Sequence, residues 1–471
     1  MPTPLPTKPQ KAEHIIFAVF EEDVADMIAA LKPVHAGFLE TRSFTGKAGS
    51  LVVVPSGLGS NEMGSMWAWF GLGPRKTFNP LAFRALATQL PRGKWRLKVD
   101  HDLDLAAIHV AWGLGSYSFG KYKASSKPVE AVLEDTELTP SERTQVALEV
   151  QAHDRARDLV NTPANDMGPA QIEAVARGIA KAHGAEVGVI SGELLAKSYP
   201  AVHAVGRAAG ADQQPRFIEI AWQPKEGRGP LPVVCLVGKG VAFDTGGLNI
   251  KTGNGMGLMK KDMGGAAAVI AATLAAADLQ LPVRITTLAP LAENAISGSA
   301  YRPGDVITQY DGTTVETTNS DAEGRLVLAD ALGYAVARLQ PDIVIDLATL
   351  TGANAVALGK RTAALYSHDD TLAEALVAAG AAAGEQMFRL PLPEDYVEYL
   401  HSDIADLHSS PSQGAGSVVA ALFLREFLGE YADRWAHLDM SAPSWIEKSE
   451  GELTKGATGW GVRTLVRYLS A

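Results

Sequence analysis

Apolar residues occur along this chain in two patterns, as short continuous runs and as longer stretches with helical spacing. The runs at residues 233–237 and 343–347 are rich in β-branched residues and short enough to be buried strands. From residue 169 onward such runs alternate with helical stretches, which predicts an α/β fold with a largely parallel central sheet. The predicted strands are 187–190, 216–222, 233–237, 283–289 and 343–347, and the predicted helices are 171–183, 265–277, 327–339, 371–383 and 418–428.

The first part of the chain mixes short strands with helices. Residues 51–54 and 95–99 are predicted strands, and residues 80–90 and 103–114 are predicted helices. The charged segment 127–140 has the composition of a linker. We therefore expect two α/β domains. The predicted boundaries are a flexible Pro-rich tail at 1–13, an N-terminal mixed α/β domain at 14–125, a linker and connecting helix at 126–150, and a C-terminal domain at 151–471 whose central sheet is flanked by helices.

The composition narrows the functional classes. The chain has 471 residues, of which 46% are hydrophobic and 20% charged, as is typical of a globular protein. Its net charge of −11 gives no electrostatic reason to expect nucleic acid or an anionic membrane as a partner. No run approaches the roughly 18 consecutive apolar residues that a membrane span requires. The single cysteine, Cys235, excludes an intrachain disulfide and a multi-cysteine zinc site, and it favours a reducing, cytoplasmic location.

The most unusual group of charges lies in residues 318–326, Thr-Asn-Ser-Asp-Ala-Glu-Gly-Arg-Leu. If this segment is extended, the side chains of Asp321, Glu323 and Arg325 point the same way. Charges grouped beside an apolar helix are rare unless something, such as a metal ion, neutralises them. A capped helix start, with Asn319 or Ser320 as the N-cap, explains the same pattern. This stretch alone leaves both interpretations open.

A second charged group follows the predicted strand 233–237. Lys239, Asp244 and Lys251 lie in a glycine-rich segment at the carboxyl end of that strand, where open α/β sheets place their ligands. Asp262 comes next, at the start of an Ala-rich helix. Taken singly, Asp244 is explained by a turn, Asp262 by a helix N-cap, and each lysine by solvation. The sequence contains no His-Glu-x-x-His, phosphate-loop or Gly-x-Ser-x-Gly motif.

Together the two groups predict a dinuclear metal site. Four carboxylates that converge in one cleft repel one another strongly at neutral pH. Two divalent cations about 3.5–4 Å apart would neutralise them, and such a pair is a known hydrolytic device. The candidate ligands are rich in oxygen and include no histidine or cysteine, so they suit Mn²⁺ or Mg²⁺, and Zn²⁺ also accepts carboxylates.

The two charged groups resemble the signatures of the leucyl (cytosolic) aminopeptidase family of two-metal exopeptidases. The family's second signature is Asn-Thr-Asp-Ala-Glu-Gly-Arg-Leu, and this chain keeps it with Ser320 in place of the threonine. The resemblance covers most of the chain beyond about residue 113 and includes segments 156–163, 293–294, 302–305, 347–353, 435–439 and 455–459. It implies two α/β domains with catalysis in the C-terminal one, 151–471, and assembly as a homohexamer.

The resemblance also implies a role for each charged residue. Asp244 and Glu323 would bridge two divalent ions, which are Mn or Zn with Mg as an alternative. Lys239 and Asp262 would complete the tighter site, and Asp321 would complete the more exchangeable one. A lysine ligates only as the neutral amine, so the two cations and burial must lower the pKa of Lys239.

The implied reaction is hydrolysis of the N-terminal residue from a peptide with a free N-terminus, by a hydroxide that bridges the two ions. Lys251 would stabilise the oxyanion, and Arg325 would hold a bicarbonate ion that moves the proton. An apolar pocket rim favours leucine or another apolar residue. The residues that the resemblance places around the first side chain or the peptide backbone are Met259, Thr349, Leu350 and Gly352.

Two other functions remain open. One is another two-metal hydrolase, either a dipeptidase acting on substrates such as Cys-Gly or a phosphatase, and the resemblance disfavours the phosphatase. The other is a catalytically silent relative with a structural or DNA-binding role. The five intact ligand positions and the negative net charge argue against the silent relative. A substrate panel would separate the hydrolases.

Overall fold

The structure is a computed structural model that describes residues 14–56, 65–99, 101–123, 128–225, 230–450 and 453–471. It divides into two compact units. Unit 1 contains the described residues up to Asp154 and those of 447–455, and unit 2 contains Arg155–Ile446 and Gly456–Ala471. The predicted tail at 1–13 lies outside the described residues, as does the start of the expected linker at 126–127. Within the described part of the chain, no helix is long and apolar enough to cross a membrane.

Unit 1 is built on a mixed sheet with the strand order β2-β3-β1-β4-β5. Its strands are β1 (His14–Phe20), β2 (Leu51–Pro55), β3 (Met66–Gly73), β4 (Gly93–Lys98) and β5 (Ala131–Leu133), and its helices are α1 (Val24–Ala30), α2 (Pro33–Thr41), α3 (Phe83–Gln89) and α4 (Leu105–Gly115). Strand β5 lies inside the segment expected to be a linker. Its two outer residues are buried and it pairs in parallel with β4, because alternate apolar side chains complete the core of the sheet.

Helix α5 (Pro140–Asn161) contributes residues to both units, and the rest of unit 2 is an α/β structure. Its further helices are α6 (Pro169–His183), α7 (Gly192–Ser198), α8 (Pro200–Gly206), α9 (Gly264–Asp278), α10 (Glu323–Tyr334), α11 (Ala353–Leu358), α12 (Asp370–Ala383), α13 (Gly416–Arg425) and α14 (Val462–Leu469). Its strands are β6 (Glu186–Ser191), β7 (Arg216–Trp222), β8 (Val233–Gly238), β9 (Gly240–Asp244), β10 (Arg284–Asn294), β11 (Val306–Thr308), β12 (Thr314–Glu316), β13 (Ile343–Ala348), β14 (Ala363–Tyr366), β15 (Met387–Arg389), β16 (Leu407–His408), β17 (Trp435–Asp439), β18 (Trp445–Ile446) and β19 (Gly456–Ala457).

The main sheet of unit 2 has the strand order β15-β14-β17-β13-β8-β10-β7-β6, and β9 pairs with β10. Its central strands β17, β13, β8 and β10 are all parallel, which confirms the predicted α/β fold with a largely parallel sheet. The carboxyl ends of these strands therefore meet at one edge. Lys239 follows β8 there, Thr349 follows β13, and Asp439 ends β17.

Helix α9 packs closely on this sheet. Its residues from Gly264 to Ala277 are all buried, and a Cβ atom at position 265 would lie 2.0 Å from the Leu347 carbonyl oxygen. Only glycine permits that approach. The close packing places Asp262, just before the helix, at the carboxyl edge of the sheet.

Helix α10 begins earlier than predicted, at Glu323 rather than at residue 327. Its N-cap is Ala322, which makes no side-chain capping bond, so the expected caps Asn319 and Ser320 are wrong. Residues 318–326 are not extended throughout, because Glu323 and Arg325 lie in the first helical turn.

Candidate active site

Three carboxylates converge at the carboxyl edge of the main sheet. Asp244, Asp262 and Glu323 each offer one oxygen, and these oxygens lie within 4.8 Å of one another. All three side chains are buried. They come from the end of β9, the 3₁₀ segment Gly255–Met263 and the start of α10. The fold thus brings together residues that are up to 79 positions apart in the sequence.

Lys239 lies among these carboxylates. Its Nζ is 2.7 Å from Asp262 Oδ2 and 2.9 Å from Glu323 Oε1, and it donates to the Thr349 carbonyl oxygen at 3.2 Å. Burial acts to lower the pKa of Lys239, but the negative charges around it outweigh burial and raise the pKa above its ordinary range. A Cβ atom at position 324 would lie 2.5 Å from Lys239 Cε, so glycine is required beside this lysine.

Lys251 forms a second group with Asp244 and Asp321. Its Nζ lies 2.6 Å from Asp244 Oδ2 and 2.5 Å from Asp321 Oδ1. Burial, followed by the charges of Glu323 and Asp262, raises the pKa of Asp244 to about 8 despite the two nearby lysines. Two of the candidate carboxylates are thus bound to an ammonium group that a cation would displace.

A set of hydrogen bonds that sequence reasoning missed holds this second group in place. Asn294 Nδ2 donates to Asp244 Oδ1 at 2.8 Å and to the Ser320 carbonyl oxygen at 2.9 Å. Ser320 Oγ donates to the Gly246 carbonyl oxygen at 2.7 Å. Asp244 Oδ1 also accepts from Gly246 N at 2.8 Å, so it shapes the turn as well. The segment 293–294 was part of the resemblance, but nothing in the sequence indicated that Asn294 would hydrogen-bond to Asp244.

Arg325 is buried, and no acidic side chain of the described residues contacts it directly. Its Nη1 donates to the Ser409 carbonyl oxygen at 2.6 Å, while its buried Nε has no hydrogen-bond partner in the described part of the chain. Burial lowers the pKa of Arg325 to about 10, even though Glu323 and Asp439 act to raise it. A buried guanidinium with unused donors is suited to a small planar anion.

Of the four residues predicted to contact substrate, Met259 lies on the same 3₁₀ segment as Asp262, and the other three lie in the loop between β13 and α11. Thr349 Oγ1 donates to Asp262 Oδ1 at 2.7 Å. A Cβ atom at position 324 would meet Leu350 Cδ1 at 2.8 Å, so Leu350 lies against the start of α10. Met259 is half-buried in the 3₁₀ segment, and Gly352 is exposed just before α11.

The side chains fit divalent metal ions. The three convergent carboxylates are buried, and the Nζ of Lys239 lies 2.7 Å from Asp262 and 2.9 Å from Glu323, so one ammonium neutralises two of them. Buried carboxylates that converge in this way are costly unless further cations bind them. Oxygen ligands of this kind are those that Mn²⁺, Mg²⁺ and Zn²⁺ accept.

Comparison with known proteins gives matches over both units. Residues 154–466 match the family described as "Cytosol aminopeptidase family, catalytic domain", and residues 16–133 match "M17 aminopeptidase, N-terminal domain". The probable cytosol aminopeptidase of Geobacter sp. (strain M21) is 40% identical over 483 aligned residues, which cover 96% of this chain and 94% of that protein.

Solved structures are similar over the same length. The crystal structure of the cytosol aminopeptidase from Coxiella burnetii has a TM-score of 0.88 and 36% identity, covering 98% of this chain and 97% of that chain. The bottromycin maturation enzyme BotP in complex with Mn has a TM-score of 0.86 and 35% identity, covering 98% of this chain and 99% of that chain.

Proposed function

The chain belongs to the cytosol aminopeptidase family, and from that membership we propose that it releases leucine or another apolar residue from the N-terminus of peptides by means of two divalent ions. Membership makes it a hydrolase and a metal-dependent aminopeptidase. The observation that supports the finer proposal is the convergence of Asp244, Asp262 and Glu323 within 4.8 Å.

The proposed ligands divide between two ions. Asp244 and Glu323 would be shared by both ions, Lys239 and Asp262 would complete the tighter site, and Asp321 would complete the more exchangeable one. Lys239 is held as an ammonium by the surrounding carboxylates, so it must lose a proton to become a ligand. Metal binding at this site therefore strengthens as the pH rises. When bound, the ions supply an acidified water as the nucleophile.

Lys251 and Arg325 are proposed to act on the substrate. Once cations neutralise Asp244 and Asp321, the ammonium of Lys251 is free to stabilise the oxyanion at the scissile carbonyl. The carboxylates are occupied as ligands, so the proton needs another carrier. The unpartnered Nε of buried Arg325 supports the proposal that a bicarbonate ion binds there and moves that proton.

Half-buried Met259 and Leu350 support a preference for an apolar first side chain. A metal ion held in this site would bind the free α-amine of the peptide and so restrict cleavage to the first peptide bond. Thr349 and Gly352 are proposed to hold the peptide backbone beside this pocket.

The direct test is hydrolysis of aminoacyl anilides by metal-free and Mn²⁺-loaded protein. We expect no activity without metal and preferential release of leucine with it. Full activity in the presence of a chelator would contradict the proposal. Selective hydrolysis of Cys-Gly in a dipeptide panel would replace it with a dipeptidase.

We also propose a homohexamer, for which the family resemblance is the support. Light scattering should then return six times the chain mass of 49.7 kDa. A monomeric mass would contradict this part of the proposal.

A further inference from the structure

We propose that Asp439 is a positioning residue that sets the enzyme's preference for the first side chain, by holding the 349–352 loop. Asp439 ends β17 and is fully buried. Its Oδ1 accepts from Leu350 N at 3.0 Å, and its Oδ2 accepts from Thr351 N at 2.9 Å and Thr351 Oγ1 at 2.6 Å. A single carboxylate therefore fixes two successive peptide groups of the loop.

The carboxylate of Asp439 is held mainly by uncharged donors. Ser441 N completes the set at 3.1 Å, and among the described residues Asp439 forms no salt bridge. Hydrogen bonds to an ionised acceptor are about twice as strong as neutral ones. A buried charge that depends on these donors keeps the loop in one position, since moving the loop would leave the charge without partners.

The loop connects Asp439 to the candidate active site. Thr349 Oγ1 donates to Asp262 Oδ1, and the Thr349 carbonyl oxygen accepts from Lys239 Nζ. Leu350, the next residue, lies against the first turn of α10. A shift of the loop would therefore change both the shape of the pocket and the support of Asp262. This inference rests on the proposed aminopeptidase function.

The structure offers a matched control in Glu385, a second buried carboxylate with the same kind of partners. Glu385 Oε2 accepts from Gly461 N at 3.0 Å, Thr464 N at 2.9 Å and Thr464 Oγ1 at 2.7 Å. It holds the start of α14 and contacts none of the candidate site residues in these bonds. Its replacement should lower stability without altering the preference for substrate.

The experiment compares D439N with E385Q and T351V with T464V. For D439N we expect the KM for leucine anilide to rise about tenfold and the leucine-over-alanine preference to fall by a similar factor, because one charge-assisted acceptor is lost. T351V should show a smaller change in the same direction. E385Q and T464V should keep the wild-type KM and preference.

Hydrogen exchange at the amides of Leu350 and Thr351 gives a readout that does not depend on activity. We expect at least about tenfold faster exchange in D439N than in E385Q. Unchanged exchange and unchanged preference in folded D439N would overturn the inference. If D439N fails to fold, equal preference in T351V and T464V would overturn it. An inactive wild-type enzyme with faster exchange in D439N would instead contradict the proposed function and leave the loop restraint standing.

Discussion

The candidate active site contains the same arrangement twice, a lysine between two carboxylates, in two different environments. In the buried group, Lys239 lies between Asp262 and Glu323, and the side chain of Glu323 is 2% exposed. In the open group, Lys251 lies between Asp244 and Asp321, and the side chain of Asp321 is 33% exposed. The two groups carry the same charges, but water reaches Asp321 of the open group and not the side chains of the buried group.

This difference indicates how one protein can hold two ions with unequal strength. A ligand set without water access keeps its ion, because removal of the ion leaves buried charges that only Lys239 neutralises. An exposed ligand such as Asp321 can exchange its cation for water at lower cost. The comparison therefore supports the proposal that the buried group forms the tighter site and the open group the exchangeable one.

The largest expected effect comes from Glu323→Ala. We predict a loss of activity of at least about 1,000-fold, since a bridging ligand of both ions is removed. Asp321→Ala should lose less and should recover as Mn²⁺ is raised, because only the open group changes. Steady-state rates across a Mn²⁺ series measure both. Equal losses with no recovery would remove the distinction between the groups.

The next-largest effect is expected at Asn294, whose side chain hydrogen-bonds to Asp244 of the open group. Asn294→Ala removes the hydrogen bonds to Asp244 and to the Ser320 carbonyl oxygen. Outer partners of ligands are typically worth about 10–100-fold in metal affinity, and we predict a weakening in that range for the more weakly bound ion and a smaller weakening for the tighter ion, since Asp244 would hold both. Calorimetric titration measures it. A weakening confined to the tighter ion would reverse the assignment of the groups.

The stability of the metal-free protein should depend on pH through Asp244, a member of the open group. The pKa of Asp244 rises from an ordinary 3.8 to about 8 because burial and neighbouring carboxylates disfavour its charge. Between these values the folded protein binds more protons than the unfolded chain, so metal-free protein loses stability as the pH rises from about 4 to about 8.

We expect this loss to amount to several kcal/mol, since each unit of pKa shift is worth about 1.4 kcal/mol, and to shrink in Asp244→Asn. Chemical denaturation across that pH range measures it. Bound Mn²⁺ should remove the loss, since it stabilises the ionised carboxylates. A slope that is unchanged in Asp244→Asn would show that another group is responsible.

Much of the fold and of the site's composition could be predicted from the sequence. The apolar runs that became β8 and β13 are long enough and regular enough to identify the sheet. In a parallel sheet, a charged residue directly after a strand, such as Lys239, lies at the carboxyl edge of the sheet. The functions of the ligands remain predictions, but the proximity of Asp244, Asp262 and Glu323 follows from that topology.

The remaining features depend on contacts that no local pattern records. Ser320 and Gly246 are joined across 74 positions, and Asp439 reaches Thr351 across 88. Helix α10 starts at Glu323, before the apolar run, and Glu323 is paired there with Lys239, which follows β8. Strand β5 could not be identified from the sequence because it has only three residues and lies in a charged segment.

The most direct test of the central claim is a titration of metal-free protein with Mn²⁺ at pH 8, followed by calorimetry. We predict two ions per chain with clearly different affinities. Asp321→Asn should weaken the weaker binding step, and Asp262→Asn should weaken the tighter one. A single ion per chain, or two ions of equal affinity that respond alike to both substitutions, would contradict the division of the site into a buried and an open group.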